Sequence, residues 1–532
     1  MSTPPSRRSK GSSHLHRPLE MSPGAEAILA REDVVLHRGR LALVNGAARF
    51  GARSAPQTPH EAMVADLLSI RSILEEHSID YLLVRGNDLR PVLAIDALLR
   101  EDLQRALAEG FDNEPFYARS VDTRKSTVLL ADGSLARSTK TRIMRLFRPR
   151  VDPVGGLYFG AAWGVQLELW SFSEDEIDLP LENSLTRRRI DRTDAARSSV
   201  ELYGLHWPTI ENMFIDHVFD IRFDIDMVFS WVDGSSAEYQ QARRALEADA
   251  VLGDGDDHES RFRQVDELKY ALRSVYMFAP WVRRIFIATD SPAPAWLAAH
   301  PRVTLVRSQE HFADASVLPT HNSMAVESQL HHIEGLSEHF LYSNDDMFFG
   351  RPISPDMFFT AGGITRFMLS PNRIGLGENE AERSGFENSA RVNRKLLWDR
   401  FGAFTTHHLE HSAAPLRRSV LRELEQEFTP EFSATAASTF RAASNISVTN
   451  SLYHYYALLT GRAVMQKDGK GIYVDTSNTA GLASLERILA QRSADFLCLN
   501  DGSNGDASPS RRREIVTDFL EKYFPFKAPW EK

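Results

Sequence analysis

Between residues 225 and 346 the chain repeats one arrangement, a short apolar run that stops at an acid. Residues 225–231 (IDMVFSW) run into Val232-Asp233-Gly234, residues 282–289 into Asp290, and residues 340–342 into Ser343-Asn344-Asp345-Asp346; residues 303–306 add a further apolar run. Runs of this length bounded by turn residues read as buried strands. Helical patterns alternate with them. Val265, Leu268, Ala271, Leu272, Val275 and Phe278 share one face before Pro280 stops the helix, and a second helix is expected over 323–333. This order predicts an α/β fold with a mainly parallel sheet and crossover helices. Ligands of such sheets bind outside the carboxyl ends of the strands. Asp233, Asp290 and the Asp345–Asp346 pair are therefore expected on one rim.

The residues before this region read differently. A helical pattern through Met63, Leu67, Leu68, Ile70, Ile73 and Leu74 leads to strand-like runs at 81–84, 126–130, 141–146 and 164–170. This predicts a smaller α+β domain over 59–200, of unknown role, with the catalytic domain spanning 201–532. Residues 1–58 are rich in Ser, Pro, Arg and Ala, and are expected to be a mobile tail with one hairpin near 34–44. The start carries no apolar stretch of a secretory signal, and about 18 uncharged apolar residues never run together. Cytoplasmic residence is the expectation, with contact at the inner face of the membrane left open.

Composition excludes several classes. The chain of 532 residues carries a formal charge of -10, which argues against a general nucleic-acid binder, and Cys498 is the only cysteine, which rules out internal disulfides and cysteine-cluster zinc sites. P-loop, GxGxxG and GxSxG patterns are absent. The acidic loop 254–259 lacks EF-hand spacing.

Adjacent carboxylates at a strand end suit Mg2+ or Mn2+, which keep phosphate oxygens and waters in their shell; a capped turn is the plainer reading. Glu327, on its expected helix, fits a general base, a metal ligand or a solvated helix position. The cluster Thr406-His407-His408-Leu409-Glu410-His411 lacks HExxH order, and is expected at a helix start where His407 and His411 lie one turn apart. A histidine beside such a rim would suit proton transfer near neutral pH. Arg441 fits a phosphate clamp, because a guanidinium makes forked bonds to phosphoryl oxygens.

These residues also carry a resemblance. The stretch 224–234 resembles the first conserved region of the Stealth family of sugar-phosphate transferases. Residues 267–275, 279–283 and 334–346 are similar to the second region, 411–441 to the third and Cys498-Leu499-Asn500-Asp501 to the fourth, so the likeness covers about 224–530. It is of the actinobacterial exopolysaccharide phosphotransferase kind, and extends to the catalytic core of the animal GlcNAc-1-phosphotransferase. The resemblance implies a glycosyltransferase-A-like sheet binding a nucleotide sugar. It also implies transfer of hexose 1-phosphate to a hydroxyl of a glycan acceptor, with nucleoside monophosphate leaving. Carried over, Glu327, Asp346, His411 and Arg441 are the catalytic residues, and Asp345 with Asp346 holds the metal. Trp231, Asp233, Gly234 and Asp290 are the expected donor contacts at the strand ends. The family often shows His-x-Pro-His where this chain has His411-Ser412-Ala413-Ala414-Pro415, so His408 competes with His411. An ordinary glycosyltransferase and a non-catalytic carbohydrate-binding protein are the alternative classes.

Overall fold

The computed structural model describes residues 57–532 except 153, 155–156, 248–252, 254–263 and 503–504, together with Ile28, Val34–Val35 and Gly51–Arg53. The expectations for a mobile tail and for the acidic loop 254–259 lie outside the described residues. Val34–Val35 pairs with Gly51–Arg53, a more distant partner than the local hairpin expected near 34–44.

The chain divides into two compact units, with the main change of unit between Phe214 and Ile215. In the first, helices α1 (Pro59–Glu76) and α2 (Arg100–Gly110) cover one face of a mixed sheet. Six of its eight strands are β1 (Leu82–Arg85), β2 (Pro91–Asp96), β3 (Tyr117–Ser120), β4 (Thr127–Leu129), β5 (Ile143–Phe147) and β6 (Val165–Phe172), ordered β1-β2-β6-β5-β3-β4, and Glu176–Asp178 followed by Arg189–Asp191 continues from β6. Of the expected apolar face, Met63, Leu67, Ile70, Ile73 and Leu74 are buried on α1, and Leu68 is half-buried. The unit runs beyond residue 200 because the hairpin β7 (Arg197–Leu202) and β8 (Leu205–Ile210) sends Trp207 into this core and Ile210 into the cluster on the other face.

The second unit is built on five strands: β9 (Ile225–Ser230), β10 (Ile285–Ala288), β11 (Val303–Val306), β12 (His339–Asn344) and β13 (Ala414–Arg417). Their order is β11-β10-β9-β12-β13, parallel except for β13. The expected α/β class and mainly parallel sheet are what the structure shows. The antiparallel edge strand was not foreseen, since Ala414-Pro415-Leu416-Arg417 is too short to stand out. Helices α3 (Glu267–Phe278), α4 (Ser323–Gln329), α5 (Gly385–Phe401), α6 (Arg418–Glu427) and α7 (Pro509–Tyr523) accompany it. The predicted helix over 323–333 is shorter, giving way to a 3-10 turn at Leu330–His332. A second small sheet joins β14 (Met347–Phe349), β16 (Phe496–Asn500) and β15 (Gly471–Asp475), in that order. Among the described residues no helix is long and apolar enough to cross a membrane.

An ion pair anchors the start of the central strand. Asp226, fully buried, accepts from Arg283 Nε at 2.9 Å and Nη2 at 2.6 Å and from the Ser337 backbone N–H at 2.8 Å. It thus ties the entry of β9 to the residues before β10 and β12. Asp226→Ala would leave the Ser337 and Arg284 N–H groups short of their acceptor, while Arg283 keeps Asp224. It should destabilise the second unit by about 2 kcal/mol, because backbone donors held by a fully buried carboxylate lose their acceptor. Denaturant unfolding checks this, and a loss under about 1 kcal/mol would contradict the anchoring role.

Candidate active site

The site is assembled at the carboxyl ends of β9 and β12. Their parallel pairing places Ser230 beside Asn344, and Tyr342, fully buried, links them. Its hydroxyl donates to Asn344 Oδ1 at 2.9 Å and lies 2.7 Å from Ser230 Oγ. Burial, reinforced by the negative charge of Glu327, raises the Tyr342 phenol well above its ordinary value, so it remains a neutral hydroxyl.

Glu327 projects from α4 and is 5 % exposed. Asn322 caps that helix by accepting from the Met324 N–H, and its amide donates to Asn445 Oδ1 at 2.8 Å and to the carbonyls of Ser438 and Phe440. The cap therefore fixes the loop carrying Arg441 against α4. Arg441 Nη2 donates to Ser323 Oγ at 2.9 Å, and Thr449 Oγ1 donates to Glu327 Oε2. Burial raises the Glu327 carboxyl above its ordinary value, opposed by the Thr449 hydroxyl and then by the charge of Arg441. The solvated-helix reading of Glu327 is thereby excluded.

Two residues beyond Asn344 the chain turns back into β14, whose Met347 pairs with Cys498. This turn carries Asp345 and Asp346. Asp345 retains some solvent contact, yet burial raises its carboxyl well above the usual range, with Asp346 and then Glu267 adding to it. Glu267 opens α3, is 5 % exposed, and accepts from the Val265 N–H at 2.7 Å; its carboxyl is also raised by burial. On the other side of Asp346, its Oδ2 lies 3.8 Å from Cys498 Sγ, and that sulfur is 3.9 Å from His411 Nδ1. The His411 ring also meets Tyr473, with centroids 5.1 Å apart. His411 is reached by solvent but crowded by protein, and this desolvation lowers its pKa.

The structure thus gathers Glu327, Arg441, Asp345, Asp346 and His411 into one run of coupled side chains. The strand-end residues do otherwise. Asp233 accepts from Ser235 N and Oγ in its own turn, while its N–H donates to Ser291 Oγ at 2.8 Å. Asp290 accepts from Ser308 N and Oγ, which occupies its carboxylate at the start of a one-turn helix. Trp231 is buried with its N–H on the Ala288 carbonyl, and Gly234 is buried beside it. The helix expected at the histidine cluster is a strand, His407–Leu409, paired with Leu369–Arg373, so His407 and His411 share no helical turn. Residue 407 is held extended by the Tyr455 hydroxyl on its carbonyl. His408 stacks on Phe386, with centroids 4.5 Å apart.

Asp345 and Asp346 fit a divalent cation, since two crowded carboxylates are what such an ion relieves, and Mg2+ commonly takes one or two carboxylates plus substrate phosphates. Among the described residues, the three side chains that converge closely enough for one ion are instead His331, His332 and Glu425. Sequence reasoning gave no role to Glu267, Tyr342, Thr449 or Ser323. Glu267, Tyr342 and Ser323 lie in stretches the sequence marks, Ser323 at the start of the helix expected over 323–333, whereas Thr449 carries no signal.

Comparison with known proteins finds four family models, described as Stealth protein conserved regions 1 to 4, matching residues 223–249, 261–367, 410–458 and 486–532. The exopolysaccharide phosphotransferase CpsY of Mycobacterium tuberculosis is 55% identical over 500 residues, 94% of this chain and 92% of that protein. An exopolysaccharide phosphotransferase of Nocardia farcinica is 53% identical over 472 residues, 89% of this chain and 88% of that protein. Among solved structures, the galactosyltransferase LgtC in complex with donor and acceptor sugar analogs aligns with 57% of this chain and 97% of its own, at 10% identity and a TM-score of 0.29. A likeness so low adds nothing to the fold read from the strand order.

Titration of His411 by NMR, assigned by difference against His411→Gln, should give a midpoint below the ordinary 6.5. The unfolded chain then takes the proton first, so stability contributed by the neutral ring is full above 6.5 and is lost as pH falls through that value toward the folded midpoint. A midpoint at or above 6.5 would contradict the desolvated environment.

Proposed function

Because the chain belongs to the Stealth family, whose named members are exopolysaccharide phosphotransferases, we propose that it transfers hexose 1-phosphate from a nucleotide sugar to a hydroxyl of a glycan acceptor. The observation that carries this reading is the run of side chains from Arg441 and Glu327 through Tyr342 and Asp345 to Asp346, Cys498 and His411. It sets a cation, paired carboxylates and a solvent-reached histidine along one strand-end rim. A nucleotide-sugar donor implies a cytoplasmic site of action.

In the reaction a bond forms between the acceptor oxygen and the phosphorus that carries the hexose. The bond from that phosphorus to the bridging oxygen breaks, and nucleoside monophosphate leaves. His411, neutral near pH 7 because its pKa is lowered, takes the acceptor proton; with Nδ1 beside Cys498, Nε2 is the nitrogen left for that task. Arg441 stabilises charge on the transferring phosphoryl group. Glu327, buried and held by the Thr449 hydroxyl, orients the Arg441 guanidinium through the Ser323 hydroxyl. Asp345 and Asp346 would hold Mg2+ or Mn2+, whose charge neutralises the donor diphosphate when bound. Transfer of this kind is mostly positioning plus electrostatic stabilisation.

Incubation with a panel of nucleotide sugars, a glycan acceptor and Mg2+ should release nucleoside monophosphate and give a phosphodiester signal by phosphorus NMR. Asp346→Asn, His411→Ala and Arg441→Ala should each lower kcat/KM by about 100-fold or more with the fold intact. Release of nucleoside diphosphate would instead mean the sugar moves without its phosphate, and wild-type rates in these variants would overturn the assignment.

A further inference from the structure

The first unit contains a charge arrangement that its own packing leaves uncompensated. β3 and β5 pair with Arg119 directly opposite Arg145, and Arg145 is opposite Gln166 of β6. These side chains lie on the sheet face away from α1 and α2, since Ala118, Met144, Leu146, Val165 and Leu167 fill that core. Like charges directly opposite on one face repel, with Cβ atoms about 5 Å apart. Arg90 brings a third guanidinium, its Nη2 on the Ala162 carbonyl at 3.1 Å and its Nη1 3.2 Å from Asp88.

Nearby carboxylates do not resolve the repulsion. Asp88 is shared with Arg90, and Glu168, on the same face, is engaged by Gln166 Nε2 at 2.6 Å and Trp170 Nε1 at 2.9 Å. Among the described residues neither Arg119 nor Arg145 has an ion-pair partner, and Arg145 Nε is buried without a hydrogen bond. Burial lowers the Arg145 pKa, Arg90 and Arg119 lower it further, and Asp88 opposes them. A buried donor left unmatched is costly, and neighbouring guanidinium groups on one sheet face are suited to phosphoryl oxygens.

We propose that Arg90, Arg119 and Arg145 form a phosphoryl-binding site on the first unit, separate from the residues of the transfer reaction. The site rests on this geometry alone. Its assignment to the phosphodiester of a glycan product, rather than to free phosphate or a nucleotide, rests on the function proposed above.

The test uses the full chain carrying Arg441→Ala, so that phosphate held by the catalytic residues does not mask the result. Titration calorimetry with inorganic phosphate at constant ionic strength should show one bound anion, weakened about tenfold or more by Arg145→Gln or by Arg119→Gln. Both substitutions remove a like-charge contact, so unfolding temperatures equal to or above the parent's are expected. Absence of binding in the parent, or equal binding in both variants, overturns the site. Hexose 1-(methyl phosphate) binding more tightly than inorganic phosphate, and dependent on Arg145, supports the glycan source; no preference overturns that source and leaves the anion site. Failure of the transfer assay with Arg145-dependent phosphate binding intact would sink the proposed function alone.

Discussion

The parallel pairing of β9 with β12 over six residue pairs, Ile225 with His339 through Ser230 with Asn344, is the constraint from which the second unit's site hangs. It fixes where both strands stop, and Tyr342 locks that end by its hydroxyl bonds to Ser230 and Asn344. A slip of one residue would turn Tyr342 and Ser230 to opposite faces. Glu327 would then lose the phenol it faces, and the turn bearing Asp345 and Asp346 would no longer lead into β14. Buried Asp226, paired with Arg283, guards the other end of the same strand.

What the register creates is electrostatically unfavourable by itself. Asp345, Asp346 and Glu267 bring carboxylates together in surroundings that raise the pKa of Asp345 and Glu267. A fold that keeps such a cluster stores a preference for positive charge at that point, which Arg441 answers on the Glu327 side. On the proposed reading the Asp345–Asp346 side would be answered by a divalent cation. Cys498 contributes a neutral thiol between Asp346 and His411, because burial and Asp346 hold it well above its ordinary value. It therefore spaces those two groups without adding charge.

Much of this was legible from the chain. Strand ends and apolar faces report directly on burial, so the parallel sheet and α1 follow from periodicity, and the resemblance singled out Glu327, Asp346, His411 and Arg441. What could not be read was which carboxylates are consumed locally. Asp233 and Asp290 look equivalent to Asp345 in sequence, yet Ser235 and Ser308 engage them. Nor could a one-dimensional pattern show that β16 returns beside β14 to bring Cys498 to Asp346, since that pairing spans about 150 residues. The histidine cluster misled for a related reason. Residues 407–409 are extended because Leu369–Arg373 offers them a ladder, a tertiary partner that overrides local helical spacing.

The two proposed sites would hold phosphate in chemically different ways. A carboxylate rim meets a diphosphate only through a cation, which makes binding conditional on the metal and leaves the phosphorus polarised for attack. A guanidinium row binds phosphoryl oxygens directly, without a metal and without placing a nucleophile, which suits retention rather than reaction. The overall charge of -10 conceals this division, because an average over the chain reports neither the acids gathered at Asp345 and Asp346 nor the arginines opposed at 119 and 145. On the proposed reaction, in which substrate and product both carry phosphate, a metal-free arginine row would bind a phosphodiester without the means to activate it.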